Sequence, residues 1–343
     1  MKIALITDTH FGARNDNLVI QKHMKKFYDD VFFPYLQKTE IKTVIHLGDL
    51  VDKRKTINYV TLNNVRKNFM YRLFDELIET HFIIGNHDTY YKNTNQINSV
   101  NELFGNTPFV QIYDGAETFN FDGTEICLLP WLCADNYEDS MKHIDKTSAK
   151  ILMGHLSLVG FEMFRGVQSE HGSDSSLFRK FDKVYSGHFH YKSEKGNIYY
   201  LGSPYEMMWS DYGCEKGFHV LDTDTGELEF IKNPYTLFKK IYYNDSSELT
   251  EPSQYTDSYI KIVVEEKSNP YHFDTFVDFI YQQNPAQLSV VEDFDVIEDE
   301  EIEGDQDTMT ILSNYVSSLE TNLDKPRLDT MLRNLYVEAV SVE

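Results

Sequence analysis

Eight side chains suited to metal binding or proton transfer occur in this 343-residue chain in five short clusters. Asp8 and His10 lie in DTH, Asp49 in GD, Asn86 and His87 in GNHD, His155 in GH, and His188 and His190 in GHFH. Carboxylate, imidazole and amide oxygen are ligands for divalent ions such as manganese, iron or zinc. No thiolate is among them, which disfavours a structural zinc site. A carboxylate has two oxygens and can bridge two ions, and Asp49 is the natural bridge. Two ions about 3.5–4 Å apart can bind a shared water and bring its pKa toward neutrality, which yields a nucleophile for phosphorus. His87 stands beside Asn86 and cannot easily reach the same ion. It is read as the general acid that protonates the leaving alkoxide, its ring oriented by Asp88 or Asp52. A single histidine at a strand end is more often structural than a ligand, and a lone GD or GH dipeptide says almost nothing. The ordered set carries the reading. The other seven histidines, His23, His46, His81, His143, His171, His219 and His272, are read as packing or surface residues.

Each cluster follows a short apolar run. Residues 2–7, 43–47 and 81–84 read as strands. Between them, residues 17–38 and then Leu62, Val65, Phe69, Leu73 and Leu77 show helical spacing. This alternation predicts parallel strands with right-handed crossovers, and ligand sites in such sheets form beyond the carboxyl ends of the strands. Gly48, Gly85, Gly154 and Gly187 each precede a site residue, where the chain must turn sharply and leave room. Shorter strands are expected at 110–113, 118–121, 126–129, 151–153, 184–186 and 198–201, and a hairpin joins 218–221 to 228–231. The fold class expected is α/β: two packed sheets flanked by helices over residues 1–233. A small α+β domain should follow at 234–291, with a strand at 259–264, a helix at 273–281 and a second strand at 287–291. An acidic linker spans 292–307. Residues 308–343 then give two amphipathic helices separated by Asp324, Lys325 and Pro326.

Composition sets the class. Hydrophobic residues make up 41% and aromatics 14%, which is globular. No apolar run approaches the roughly 20 residues of a membrane span. The opening MKIALITDTH is read as a core strand of a cytoplasmic protein, because its apolar stretch is short and lacks a cleavage site. Three cysteines without a Cys-x-x-Cys argue against a disulfide framework or a zinc ribbon. Net charge is −23, from 32 basic and 55 acidic residues, and such a field repels phosphate. Ten of those acids fall between Glu292 and Asp307; without them 45 acids face 32 basic residues, or −13. Two divalent ions would add positive charge where a phosphate must sit. Arg14, Lys53, Arg54, Lys55 and Lys92 follow the site motifs and are candidate phosphate contacts.

The ordered motifs resemble those of the calcineurin-like metallophosphoesterase superfamily, over residues 1 to about 202. GDLVDKRK, LGSPY, the small domain and the terminal hairpin are similar to the nuclease subunits of SbcCD-type DNA repair complexes. The ending LYVEA is similar to the recombination nucleases of T-even-like bacteriophages. The resemblance implies a two-sheet metallophosphoesterase sandwich with a capping domain that helps position DNA. It implies one ion held by Asp8, His10, Asp49 and His190 and another by Asp49, Asn86, His155 and His188, with manganese as the activating metal. His87 falls on the family's catalytic histidine. The terminal helix bearing Leu328, Met331, Leu332, Leu335 and Tyr336 resembles a segment that docks on an SMC-like coiled-coil ATPase, and a homodimer within a heterotetramer is implied.

The resulting expectation is a metal-dependent DNA nuclease, with exonuclease and single-strand endonuclease activity, acting in recombination, repair or replication. If phage-encoded, it would work in the host cytoplasm. A phosphatase or small phosphodiesterase would keep the metals but change the substrate. Ser/Thr phosphatases usually show Arg-Gly after the second Asp and GNHE as the third motif; here Lys53 and Arg54 follow Asp52, and the third motif ends in Asp88. A non-catalytic scaffold binding DNA ends would have no need of two metals.

Overall fold

A computed structural model describes residues 1–247, 254–292, 316 and 325. All but the last two belong to one compact unit, Met1–Phe294. Most of the acidic stretch lies outside the described residues. So does the proposed partner-binding helix with Leu328, Met331, Leu332, Leu335 and Tyr336.

Two six-stranded sheets face each other. In the first, the spatial order is Leu228–Lys232, Gly217–Asp222, Lys2–Ile6, Thr43–His46, Glu79–Ile83 and Val110–Tyr113. The last four run parallel, while Gly217–Asp222 pairs antiparallel with Lys2–Ile6 and with Leu228–Lys232. In the second, the order is Ser193–Lys195, Ile198–Tyr200, Lys183–Gly187, Ile151–His155, Thr124–Leu129 and Glu117–Phe121. Its four inner strands are parallel. Strand alternation assigns the layers. Ile3, Leu5, Ile45, Ile83, Ile126, Leu128, Met153 and Tyr185 fill the space between the sheets. Ala4, Ile6, Val44 and Phe82 turn toward the helices of the first sheet, and Cys127, Leu129, Leu152 and Val184 face outward from the second. A strand buried on both faces reads as a continuous apolar run, which is why these strands were legible.

The two long helical stretches each contain a π-type turn, at Tyr28–Phe32 and Arg66–Met70. A π turn shifts the inward face by one residue. Phe27, Tyr28, Phe32 and Phe33 are therefore all buried, which a plain 3.6-residue period does not allow for two adjacent pairs. Tyr28, Phe32 and Phe33 pack with Phe69 from the second stretch.

Beyond Asn233 lies a three-stranded parallel sheet, in the order Phe238–Tyr243, Tyr259–Val264 and Gln287–Val291. The helix Pro270–Gln282 covers it, with Asn269 capping its N-terminus. Phe273, Phe276 and Ile280 meet Tyr243, Ile260 and Ile262 in a separate small core. The strand Phe238–Tyr243 was not expected: its sequence, FKKIYY, interrupts the apolar pattern with two lysines. Among the described residues, no helix is long and apolar enough to cross a membrane.

Candidate metal centre

Five parallel strands deliver the site from both sheets. Asp8 and His10 follow Lys2–Ile6, Asp49 follows Thr43–His46, and Asn86 and His87 follow Glu79–Ile83. From the opposite sheet, His155 ends Ile151–His155, and His188 and His190 follow Lys183–Gly187. The bends are sharp enough to put Asp8, His10, Asp49 and His188 at φ of 51°, 40°, 58° and 89°. Such left-handed backbone costs a non-glycine residue roughly 1–3 kcal/mol and persists where the surrounding structure enforces it. Close approach explains two glycines. A Cβ on Gly85 would lie 2.2 Å from Asp49 Oδ1, and one on Gly187 would lie 2.0 Å from Thr7 Oγ1.

All seven expected ligands converge. Donor atoms of Asp8, His10 and His190 lie within 4.8 Å of one another, as do those of Asp49, His155 and His188, and those of His10, Asp49 and His87. Asp49 Oδ2 is 3.6 Å from His10 Nε2 and 3.2 Å from His155 Nε2, so one carboxylate oxygen faces both groups. Asn86 Oδ1 is 2.9 Å from both His155 Nε2 and His188 Nδ1.

The donor set fits divalent cations. His155 Nδ1 is 2.7 Å from the Leu47 carbonyl, which only accepts, so Nδ1 carries a proton. Nε2 then turns toward Asp49 Oδ2 and Asn86 Oδ1, two further acceptors. His10 Nε2 and His190 Nε2 face each other at 3.0 Å. Burial works against charge on His10, yet Asp52, Asp49 and Asp8 raise its pKa to about 9. Burial likewise opposes charge on His155, but Asp49 and Asp8 raise it to about 9. Burial, then His155, lowers His188 to about 3, and burial, then His10 and Lys216, holds His190 well below the ordinary imidazole value. Burial pushes the Asp49 carboxyl up, but His155, His87 and His10 outweigh it and hold it well below the carboxylate range. The carboxylates thus demand positive charge, and bound cations would meet that demand while leaving all four imidazoles neutral as ligands.

His87 is half-buried, and its ring packs edge-on against His10 at 4.8 Å between centroids. Its Nδ1 lies 2.6 Å from the main-chain carbonyl of Asp52. That carbonyl, rather than the carboxylate of Asp52 or Asp88, meets the ring. The Asp52 carboxylate instead faces His10 Nδ1 at 3.4 Å. Asp88 is fully buried and accepts N–H bonds from Gly85, Asp49 and Leu50 at 2.9, 2.8 and 2.9 Å. It ties the second motif's loop to the third. A buried carboxylate bonded mainly to backbone, with the Ser99 hydroxyl at 3.5 Å besides, cannot be told from a catalytic one by its place in GNHD.

Of the five candidate phosphate contacts, Lys53, Arg54, Lys55 and Lys92 sit on loops and Arg14 on the short helical turn Ala13–Asp16. Lys53 is bound to Asn15 Oδ1 at 2.7 Å and Asp16 Oδ2 at 2.9 Å, so its charge already has a partner. Lys55 lies 5.6 Å over the Tyr90 ring. Arg14 and Lys92 are exposed, and Arg54 is half-buried.

Several supporting residues were not foreseen. Lys216 is buried and donates to the His190 carbonyl and Ser203 Oγ, each at 2.8 Å, while paired with Asp211. The Tyr205 hydroxyl donates to the Thr9 carbonyl at 2.6 Å, and His46 Nε2 lies 2.9 Å from Thr9 Oγ1. Ser203 and Tyr205 belong to LGSPY, the one signal that could have pointed to them; Lys216 offered none. Trp131 packs on His188 with ring centroids 5.1 Å apart.

Residues 1–192 match the calcineurin-like phosphoesterase family. Exonuclease subunit 1 of Enterobacteria phage T4 is 31% identical over 342 residues, covering 99% of both chains. A subunit of the nuclease SbcCD from Staphylococcus epidermidis is 23% identical over 307 residues, covering 80% of this chain and 78% of the relative. Among solved structures, an archaeal phosphodiesterase aligns with a TM-score of 0.33 and 13% identity over 68% of this chain and 100% of that one.

Proposed function

The chain belongs to the calcineurin-like phosphoesterase family, and on that basis we propose that it is a metal-dependent DNA nuclease acting as one subunit of a larger complex. The observation that carries this reading is the meeting of Asp8, His10 and His190 with Asp49, His155 and His188 around one shared carboxylate, with His87 at the edge. The full-length likeness to a phage exonuclease subunit favours DNA over a phosphoprotein or a small diester.

In this proposal Asp8, His10, Asp49 and His190 hold one divalent ion and Asp49, Asn86, His155 and His188 the other, with manganese as the activating metal. Such ions, when bound, supply a nucleophile at neutral pH and Lewis-acid stabilisation of phosphoryl oxygens. The chain's own residues do the rest. Thr7 Oγ1 donates to Asp8 Oδ2 at 2.7 Å, and the His188 N–H meets both Asp8 oxygens at 3.1 Å, so the carboxylate is aimed before any ligand arrives. The Asp52 carbonyl accepts from His87 Nδ1–H. A proton delivered to the leaving oxygen must therefore come from Nε2 of the doubly protonated ring. Asp52 and Asp88 act through positioning: one through its carbonyl on His87 and its carboxylate beside His10, the other by fixing loops. Arg14, Lys53, Arg54, Lys55 and Lys92 are proposed to line the approach of DNA, with Lys53 already paired with Asp16.

The finer proposals are an SMC-like coiled-coil ATPase as partner, a homodimer within a heterotetramer, a capping role for residues 234–291, and a cytoplasmic setting. The test is cleavage of a labelled duplex and of a single-stranded circle with manganese, with and without a copurified ATPase. Manganese-dependent cutting is expected. Faster turnover of a nucleotide monoester than of DNA would move the assignment to a phosphatase, and cleavage by no form of the protein would overturn the nuclease.

A further inference from the structure

A cleft of about 570 Å³ separates the helix Leu18–Phe27 from the chain entering the small sheet, with Tyr235, Lys239 and Ser258 on its far wall. In a protein of net charge −23, four lysines line it: Lys22, Lys25, Lys26 and Lys239. Helical spacing sets Lys26 beside His23, three residues before it, and beside Lys22, four residues before it. The acids that also line the cleft have partners: Asp257 pairs with Lys22, Asp29 with Lys25 and with Arg72 at 2.7 Å, and Asp30 accepts from the Tyr235 hydroxyl at 2.9 Å. Lys26 and Lys239 form no ion pair among the described residues. Lys26 lies 4.0 Å over the Tyr235 ring, and Lys239 donates to the Gln254 carbonyl. Of the Glu206 carboxyl, Oε2 accepts from the N–H groups of Leu237 and Phe238 at 2.6 and 2.9 Å, while Oε1 has no hydrogen-bond partner among the described residues.

His23 lines the cleft too; it is only 9% exposed, and its Nε2 has no hydrogen-bond partner among the described residues. Native folds rarely leave a buried polar atom unmatched, and such an atom points to a ligand or a function. Lys26 and Lys239 line the same cleft as this ring. Two ammonium groups, with an imidazole nitrogen that can carry a proton, together offer more donors than a carboxylate's two oxygens would use. A phosphate, with several charged acceptor oxygens, matches them.

We propose that this cleft is a phosphate-binding site, separate from the metal centre, in which His23 Nε2–H, Lys26 and Lys239 hold one phosphate group. The phosphate comes either from a nucleic-acid backbone or from a free phosphate compound, and the same experiment separates the two. Inorganic pyrophosphate and a fluorescein-labelled oligodeoxynucleotide are titrated, in chelator, onto the full chain and onto its Lys26→Glu, Lys239→Met and Lys26→Arg variants. One pyrophosphate per chain is expected. Lys26→Glu and Lys239→Met should each weaken it about ten-fold or more, the scale of a lost charge-assisted hydrogen bond, while Lys26→Arg should largely keep it. A parallel fall in oligonucleotide affinity assigns the phosphate to nucleic acid; an unchanged oligonucleotide affinity assigns it to a free compound. Manganese-dependent hydrolysis of bis(p-nitrophenyl) phosphate should be unaltered in all three variants. Absence of that hydrolysis from wild type would count against the nuclease reading and leave this one standing. Pyrophosphate binding that is missing from wild type, or equal in wild type and both weakened variants, would overturn the proposal.

Discussion

In the proposed mechanism the chemistry turns on His87, because its Nδ1 is committed to a carbonyl and Nε2 is left to donate the proton. His87→Ala should lower cleavage by about 100- to 10,000-fold, the usual worth of general acid–base catalysis. Manganese binding should be retained, since His87 is not among the seven proposed ligands. Single-turnover cleavage beside a metal titration checks both; normal cutting by the variant would remove His87 from the mechanism. Lys216 is a different kind of residue. It is 3% exposed and spans His190, Ser203 and Asp211, so Lys216→Met strands a buried carboxylate. A loss of about 3–5 kcal/mol is expected by denaturant unfolding, together with weaker metal binding through the displaced His190 loop. The proposed ligands were legible because their types and order are chemical. Lys216 was not, because a lysine near a glycine in sequence carries no mark of burial.

At the scale of elements, the site depends on loops that two sheets hold at fixed separation. Gly85 packs so tightly on Asp49 that Gly85→Ala must push the shared carboxylate aside. Metal affinity should fall with the fold intact, measured by calorimetric titration and circular dichroism; unchanged affinity would show that the loop yields freely. The strands of the sandwich were readable because burial on both faces makes them continuous apolar runs. The helices were readable in extent but not in detail, since the π turns at Tyr28–Phe32 and Arg66–Met70 break the period that sequence reading relies on. Phe238–Tyr243 was missed because Lys239 and Lys240 lie mid-strand. That strand is tied down by Glu206, whose carboxyl is raised by burial to about 7. A carboxyl raised in the folded state binds protons there that the unfolded chain releases. Its charged form therefore destabilises the fold progressively as pH rises from about 4.5 to 7. Glu206→Gln should remove this dependence, so its melting temperature relative to wild type should climb across that interval.

Across the whole molecule, charge sets the response to pH and metal. His81 and His219 are buried, and burial lowers them to about 4 and 3. The unfolded chain, with histidines near 6.5, binds protons that the fold cannot, so stability falls as pH drops below about 6.5. Each such group contributes up to about 1.4 kcal/mol per pH unit. His219→Phe should flatten the slope of unfolding free energy between pH 6.5 and about 3; an identical slope would mean that the ring is protonated in the fold. Divalent metal should act in the opposite sense. Ions that bind only the folded protein stabilise it by about 2.7 kcal/mol at 100 times their dissociation constant, and chelator should reverse this. The decisive observation is the anomalous difference map of a crystal soaked in manganese. The account predicts two peaks flanking Asp49, one beside Asp8, His10 and His190 and the other beside Asn86, His155 and His188. A map with no peak there, or with a single ion that Asp49 does not touch, would contradict it.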